Sequence, residues 1–193
     1  MTQQRTPCQA APFRRACLCL MPMACVAAFT TGCTGPPAGI EPVKGFEAER
    51  YLGKWYEIAR LDHSFERGLT HVTAEYSRRP DGSIRVVNRG YDPASGRWKE
   101  ATGIARFLRG EDVASLKVTF FWPFWAGYHV IELDRQDYQY ALVTGHWRHY
   151  LWILSRTPAL DKALLASLVA RAKELGYQTH ALIFVKQNPR ERL

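Results

Sequence analysis

From Trp55 onward, short stretches of Val, Ile, Thr and aromatic residues alternate with polar turn sequences. This period-two pattern predicts strands over 55–61, 70–78, 83–91, 97–107, 113–121, 127–134, 138–144 and 150–156. Pro80-Asp81-Gly82 is a tight-turn sequence and Asp92-Pro-Ala-Ser-Gly96 a longer one, while Arg109-Gly-Glu-Asp112 and Asp134-Arg-Gln-Asp137 are polar breaks. Links of hairpin length favour antiparallel pairing of consecutive strands. The period then changes. Leu160, Leu164, Leu168, Ala172 and Leu175 recur at helical spacing, and Leu165 and Val169 widen the stripe. Thr157 is positioned to cap this helix, Pro158 suits its first position, Asp161 falls in its first turn and Gly176 ends it. A last strand is expected at about 178–187, with Ala181, Ile183 and Val185 on one face. The expected fold class is all-β: an eight-stranded antiparallel up-and-down barrel with one C-terminal amphipathic helix and a closing strand.

The N-terminus follows other rules. Arg5, Arg14 and Arg15 precede fourteen uncharged, mostly apolar positions, Ala16 to Phe29, interrupted by Pro22. The run is too short to span a hydrocarbon core of ~30 Å, and reads as a secretion signal. All five cysteines of the 193-residue chain (Cys8, Cys17, Cys19, Cys25 and Cys33) lie within its first 33 residues. The closing cluster Thr30-Thr31-Gly32-Cys33 resembles a lipobox, the motif whose cysteine is acylated and becomes the first residue of the mature chain. Gly32 fits that motif, whereas Thr30 stands where Leu is usual, so plain secretion with a free Cys33 is the alternative. Acyl chains on Cys33 would hold the protein at the membrane, each buried CH₂ contributing ~0.8 kcal/mol. In the lipoproteins this motif resembles, Asp after the cysteine favours the inner membrane; Thr34 therefore points to the outer one.

The division follows: 1–32 signal peptide, 33–44 lipidated N-terminus with a flexible Pro/Gly tether, 45–188 barrel domain and 189–193 C-terminal tail. Loss of the signal removes three arginines and lowers the formal charge from +8 to +5. The remaining charge is too diffuse to argue for nucleic acid.

Gly53-Lys54-Trp55 ahead of strand one, Leu133-Asp134 at the turn between strands six and seven, and the arginine closing Leu151-Trp-Ile-Leu-Ser-Arg156 occur in lipocalin order. Residues 45–187 resemble a lipocalin, although Leu133-Asp134 lacks the usual Thr. The stretches Asp62-His-Ser-Phe-Glu-Arg67, Asn88-Arg-Gly-Tyr91 and Phe120-Phe-Trp-Pro-Phe124 are similar to the bacterial outer-membrane lipoprotein subgroup. The resemblance implies that Arg156 packs across Trp55 beside Gly53 at a closed base, a structural role and not a ligand site. In an up-and-down barrel the start of strand one and the end of strand eight share an end, so Trp55 and Arg156 can meet. The links 62–69, 92–96, 121–126 and 145–149 then fall at the open end.

Those links carry Phe65, Arg67, Trp122, Phe124, Trp125, Trp147 and Arg148, with Tyr91, Trp98 and Tyr150 flanking them. Such aromatics suit contact with a ligand or bilayer, or cork the barrel by packing on one another. Ala101, Gly103 and Ala105 share one face of strand four; turned inward, they leave space. Val72, Ala74 and Tyr76 on strand two and Leu116, Val118 and Phe120 on strand five add an apolar lining, with Tyr128, Val130 and Trp152 as further members. The ligand expected is a lipid or other amphiphile, and the subgroup's implied preference is for fatty acids and phospholipids, especially lysophospholipids. No elbow of the G-x-S-x-G type and no H-E-x-x-H pair is present, and His146 and His149 alone are a poor metal signal. No cofactor, metal or catalytic residue is expected. The expected function is storage or transport of such a lipid for envelope maintenance under stress. The alternative is an envelope interaction protein docking on membrane or partner through its aromatic loops, and a lipocalin-fold enzyme is the third reading. Monomer and homodimer are both left open.

Overall fold

The computed structural model describes residues 34–187. The signal segment 1–32, Cys33 and the 189–193 tail lie outside the described residues. A short helix α1 (Ala48–Tyr51) precedes strands β1 (Gly53–Arg60), β2 (Thr70–Arg78), β3 (Ile84–Asp92) and β4 (Arg97–Phe107). They are followed by β5 (Ser115–Phe121), β6 (Phe124–Leu133), β7 (Tyr140–Thr144), β8 (Leu151–Ser155), helix α2 (Lys162–Glu174) and β9 (Ile183–Phe184). Each of β1 to β8 pairs antiparallel with its sequence neighbour, and β8 returns to pair with β1, so the sheet closes on itself. Closure removes the free edges that an open sheet of this size would leave unpaired.

Alternation along the strands separates two cores. Trp55, Tyr76, Val86, Ala105, Leu116, Val130, Val143 and Leu154 point into the barrel. Tyr56, Ile58, Ile131, Leu142, Leu151 and Ile153 point outward and are covered by Leu168, Ala172 and Tyr177 of α2 and its exit. The helix starts later than its Pro signal suggests. Asp161 is the cap, its carboxylate accepting from the backbone N–H groups of Ala163 and Leu164 at 2.9 and 3.1 Å. Thr157 instead donates to the Ala159 carbonyl at 2.7 Å. Asp is a strong N-cap residue, and here it displaces the weaker threonine.

The closing strand is shorter than the 178–187 run predicted from periodicity. Residues 179–181 form a 3-10 turn, and only Ile183 and Phe184 pair, with Arg60 and Ala59 of β1. Near the base β1 pairs with β2 over Gly53 to Tyr56, and from Tyr56 to Arg60 it pairs with β8 on its other edge. Only at its far end, beyond the last β2 partner of Tyr56, is one edge free. The segment fills that gap: Val185 N–H donates to Ile58 O, His71 N–H to Lys186 O, and Gln187 Nε2 to both Glu57 O and Val72 O.

The segment read as a flexible tether is laid along the barrel. Ile40 and Val43 are buried, and Val43 joins the ladder by donating to Val130 O and accepting from Ala114 N–H. A run without periodicity can still pack if isolated apolar residues find pockets and its backbone groups find partners. Strand β6 also begins at Phe124 rather than residue 127, so the link expected over 121–126 shrinks to Trp122 and Pro123.

Candidate ligand-binding cavity

Arg156 closes the base. Its guanidinium carbon lies 3.9 Å from the centroid of the buried Trp55 ring, and its nitrogens donate to the carbonyls of Arg50, Lys54 and Tyr138 at 2.7, 2.9 and 3.3 Å. Trp55 in turn donates to Tyr51 O at 2.8 Å. Gly53 takes φ of +90°, a conformation costly for other residues, with Arg156 packed 3.5 Å from where a Cβ would stand. The tilted rings of Phe46 and Tyr51 pack beneath, with centroids 5.2 Å apart.

Above this floor the barrel holds a cavity of about 540 Å3, within the size range of small-molecule sites. Val72, Tyr76, Ala101, Ala105, Leu116, Val118, Phe120, Tyr128 and Trp152 line it. Ala74 and Val130 face the same interior core but do not reach the cavity surface. Gly103 does not line it either, because Phe120 lies over it: a Cβ there would stand 2.6 Å from Thr119 O and 2.8 Å from the Phe120 ring. Phe46, Tyr51, Ile84, Val86 and Asn88 complete the wall and were not read from the sequence. Ile84, Val86 and Asn88 were legible by alternation along β3, since every second residue of a barrel strand faces inward.

Two polar clusters interrupt the apolar lining. Near the floor, the Tyr128 hydroxyl is 2.7 Å from that of Tyr51 and 2.8 Å from that of Tyr76. Burial pushes all three phenols above their ordinary range, so they stay neutral.

Higher on the wall, Arg60 is 1% exposed and donates to Glu57 Oε1 at 2.6 Å and to the carbonyls of Glu66 and Leu69 at 2.7 and 3.3 Å. Those bonds hold the β1–β2 link against the barrel. Trp152 Nε1 donates to Glu66 Oε2 at 3.2 Å, and His63 Nε2 stands 3.0 Å from the same oxygen. Burial, then the neighbouring Glu66, push the Glu57 carboxyl well above the ordinary range against the pull of Arg60. Burial also raises Glu66, but His63, Glu57 and Trp152 outweigh it and leave its carboxyl below that range. A proton therefore settles on Glu57 before Glu66. Glu57 and Arg60 were not expected from the sequence, because a polar pair on the inward face of a strand carries no signal in hydropathy alone.

At the mouth, Phe121, Trp122 and Phe124 are 78, 82 and 77% exposed, and Phe65 and Trp147 are 58 and 55% exposed. They do not cork the barrel. Trp125 lines the cavity, with Lys117 Nζ 4.7 Å from the centroid of its ring. Of the mouth cations, Arg67 pairs with Asp62 at 2.7 Å and Lys99 with Asp92 at 2.8 Å. Arg148 is turned away from the cavity, donating to Ala38 O at 2.8 Å and Leu175 O at 3.1 Å. Arg89 and Lys99 line the cavity beside Glu100. Among the described residues no group of three or more His, Cys, Asp or Glu side chains converges as a metal site.

This architecture matches a known family. Residues 46–187 match the model of the lipocalin-like domain. Outer membrane lipoprotein Blc of Vibrio cholerae is 54% identical over 156 residues, which cover 81% of this chain and 91% of that protein. Outer membrane lipoprotein Blc of Escherichia coli K12 is 51% identical over 152 residues, covering 79% of this chain and 85% of that one. Among solved structures, insecticyanin of the tobacco hornworm Manduca sexta superposes with a TM-score of 0.63 at 18% identity, over 80% of this chain and 87% of that one, which speaks to the fold alone. The closed eight-stranded barrel, its Trp55 and Arg156 base and these likenesses place the chain in the lipocalin family, among the bacterial outer-membrane lipoproteins.

Proposed function

We propose that the protein takes up a single-chain lipid, a fatty acid or lysophospholipid, in the barrel and stores or carries it for maintenance of the envelope under stress. It acts from the outer membrane, where this lipoprotein group is anchored, with acylated Cys33 as the attachment point. The observation that carries the reading is an apolar cavity of about 540 Å3 whose wall contains the small residues Ala101 and Ala105 and whose mouth aromatics leave it open. Burying ten or so methylenes there would contribute about 8 kcal/mol before the costs of association, enough for micromolar binding or better. The lining supplies shape and apolar area, not a nucleophile aligned with a base, and the role is binding rather than catalysis.

Native mass spectrometry of the purified protein with lysophospholipids and fatty acids tests this. A one-to-one complex is expected, weakened by Ala101→Phe or Ala105→Phe, which fill the space the small residues leave. An absence of any complex with either lipid class overturns the reading.

A further inference from the structure

Two features unused by lipid binding lie at the same end of the barrel. The first is the path of the strap. Thr34 O accepts a hydrogen bond from the buried His129 Nε2 at 2.9 Å, Ala38 O accepts one from Arg148, and Ile40 is buried. Gly127 makes room for this contact: a Cβ there would stand 2.6 Å from Thr34 O and 3.2 Å from His146 Cβ. The His146 ring lies 4.3 Å from that of Trp147 in the open-end link between β7 and β8. Thr34, which follows Cys33 in the sequence, therefore lies against β6 beside the link that carries Trp147 at the mouth.

The second feature is the contrast in surface chemistry between the ends. Phe121, Trp122, Phe124 and Trp147 project into solvent at the mouth. Both ends carry ion pairs, Arg67 with Asp62 and Lys99 with Asp92 at the mouth and Arg78 with Glu49 and Glu111, both at 2.8 Å, at the base, but among the described residues the base links hold no large exposed hydrophobic side chain. Tryptophan and phenylalanine held beside an acyl anchor suit the boundary between headgroups and chains, whereas links without them suit water.

We infer that the protein sits mouth-down on the bilayer that anchors it, with Phe121, Trp122, Phe124 and Trp147 inserted in the leaflet, so that a lipid passes between leaflet and cavity without crossing water. The occupant of this aromatic surface is the lipid of the anchoring membrane. The inference rests on the proposed acylation of Cys33 and deepens the lipid-carrier reading, because it names where the cargo is loaded.

Residues 34–193 contain no cysteine, so a cysteine introduced into the acylated chain is unique. The full acylated lipoprotein, reconstituted in vesicles of phosphatidylethanolamine and phosphatidylglycerol, would carry an environment-sensitive fluorophore at Ala94→Cys near the mouth or at Gln136→Cys near the base. The Ala94 label should shift to the blue and be quenched by brominated lipid, while the Gln136 label stays in water. Replacing Phe121, Trp122 and Phe124 together with Ser should lower the lipid-contacting fraction of the Ala94 label at least about tenfold while the protein stays anchored. Quenching of the Gln136 label, both labels in water, or shielding of the Ala94 label that vanishes on dilution of protein in the membrane (a second copy or partner as occupant) would each overturn the inference. Native mass spectrometry on the same samples separates the two readings. Lipid complexes with the Ala94 label in water overturn the orientation alone, and lipid contact of that label without complexes overturns the carrier reading alone.

Discussion

At the base of the barrel, Trp55 is wholly buried under Arg156, whose guanidinium spends its donors on three backbone carbonyls. At the mouth, tryptophans and phenylalanines of comparable size stand in solvent, and the cations beside them pair with neighbouring acids or with strap carbonyls. The same residue types thus serve stability at one end and contact at the other, and what separates them is whether the chain closes over them. At the base it does: Gly53, α1 and Phe46 converge beneath Trp55. At the mouth the two-residue link between β5 and β6 is too short to fold back over Trp122.

The largest expected effects are on stability. Trp55→Ala should cost ~3–5 kcal/mol by removing a fully buried aromatic from the barrel floor. Arg60→Met should cost a similar ~3–5 kcal/mol at neutral pH, because it takes the guanidinium from the buried Glu57 carboxyl and the donor from the Glu66 and Leu69 carbonyls. Urea unfolding measures both, and adding Glu57→Gln to Arg60→Met should recover part of the loss. Equal losses with and without Glu57→Gln would show that Arg60 matters for packing and its carbonyl bonds and not for the pair with Glu57.

Arg156→Ala should come next, at ~1–3 kcal/mol for the cation–π contact and the carbonyl bonds together. Arg156→Lys should restore little, since an ammonium cannot reproduce the planar fork. Lipid binding by native mass spectrometry should survive in folded Arg156→Ala; its loss would mean the base shapes the cavity more directly than the contacts show.

A pH effect of on the order of 2 kcal/mol is expected at the strap. Burial pushes His129 down to about 4, against the upward pull of the Thr34 and Gly35 backbone. The unfolded chain binds a proton below about 6.5 while the folded one resists until about 4, so stability is complete above 6.5 and falls as the pH drops through that window. The neutral ring donates from Nε2 to Thr34 O and accepts at Nδ1 from Ser115 Oγ, 3.0 Å away. Thermal unfolding between pH 7 and 4.5 should show this slope, and His129→Asn should flatten it relative to the parent.

The smallest stability effect is expected where function is expected to suffer most. Trp122→Ser with Phe124→Ser should change the unfolding free energy by no more than about 0.5 kcal/mol, because both side chains are already in water. A loss well above that would mean the mouth aromatics pack on one another in solution and would erase the contrast between the two ends.

Regular alternation makes the barrel legible in the sequence. Val72 and Tyr76, Ala101 and Ala105, and Leu116, Val118 and Phe120 sit on inward faces because a strand has only two sides and its apolar residues choose one. The Trp55 and Arg156 meeting was legible for a related reason: strand parity in an up-and-down barrel puts their ends together. Gly103 misled because a small inward residue signals either space or a close neighbour, and here Phe120 occupies the room. The short β9 misled because its apolar spacing says nothing about which edge of β1 remains free.

Local periodicity and chain direction suffice for the order of the eight barrel strands, the alternation along them, the amphipathic helix and the aromatic character of the links. Tertiary structure alone decided the rest. It closed a 540 Å3 space among those faces, brought Glu57, Arg60, Glu66 and Trp152 into one network, and laid Thr34 against Gly127 and His129 of β6. These contacts join residues up to 95 positions apart, and no local pattern records them because they exist only once the barrel has closed.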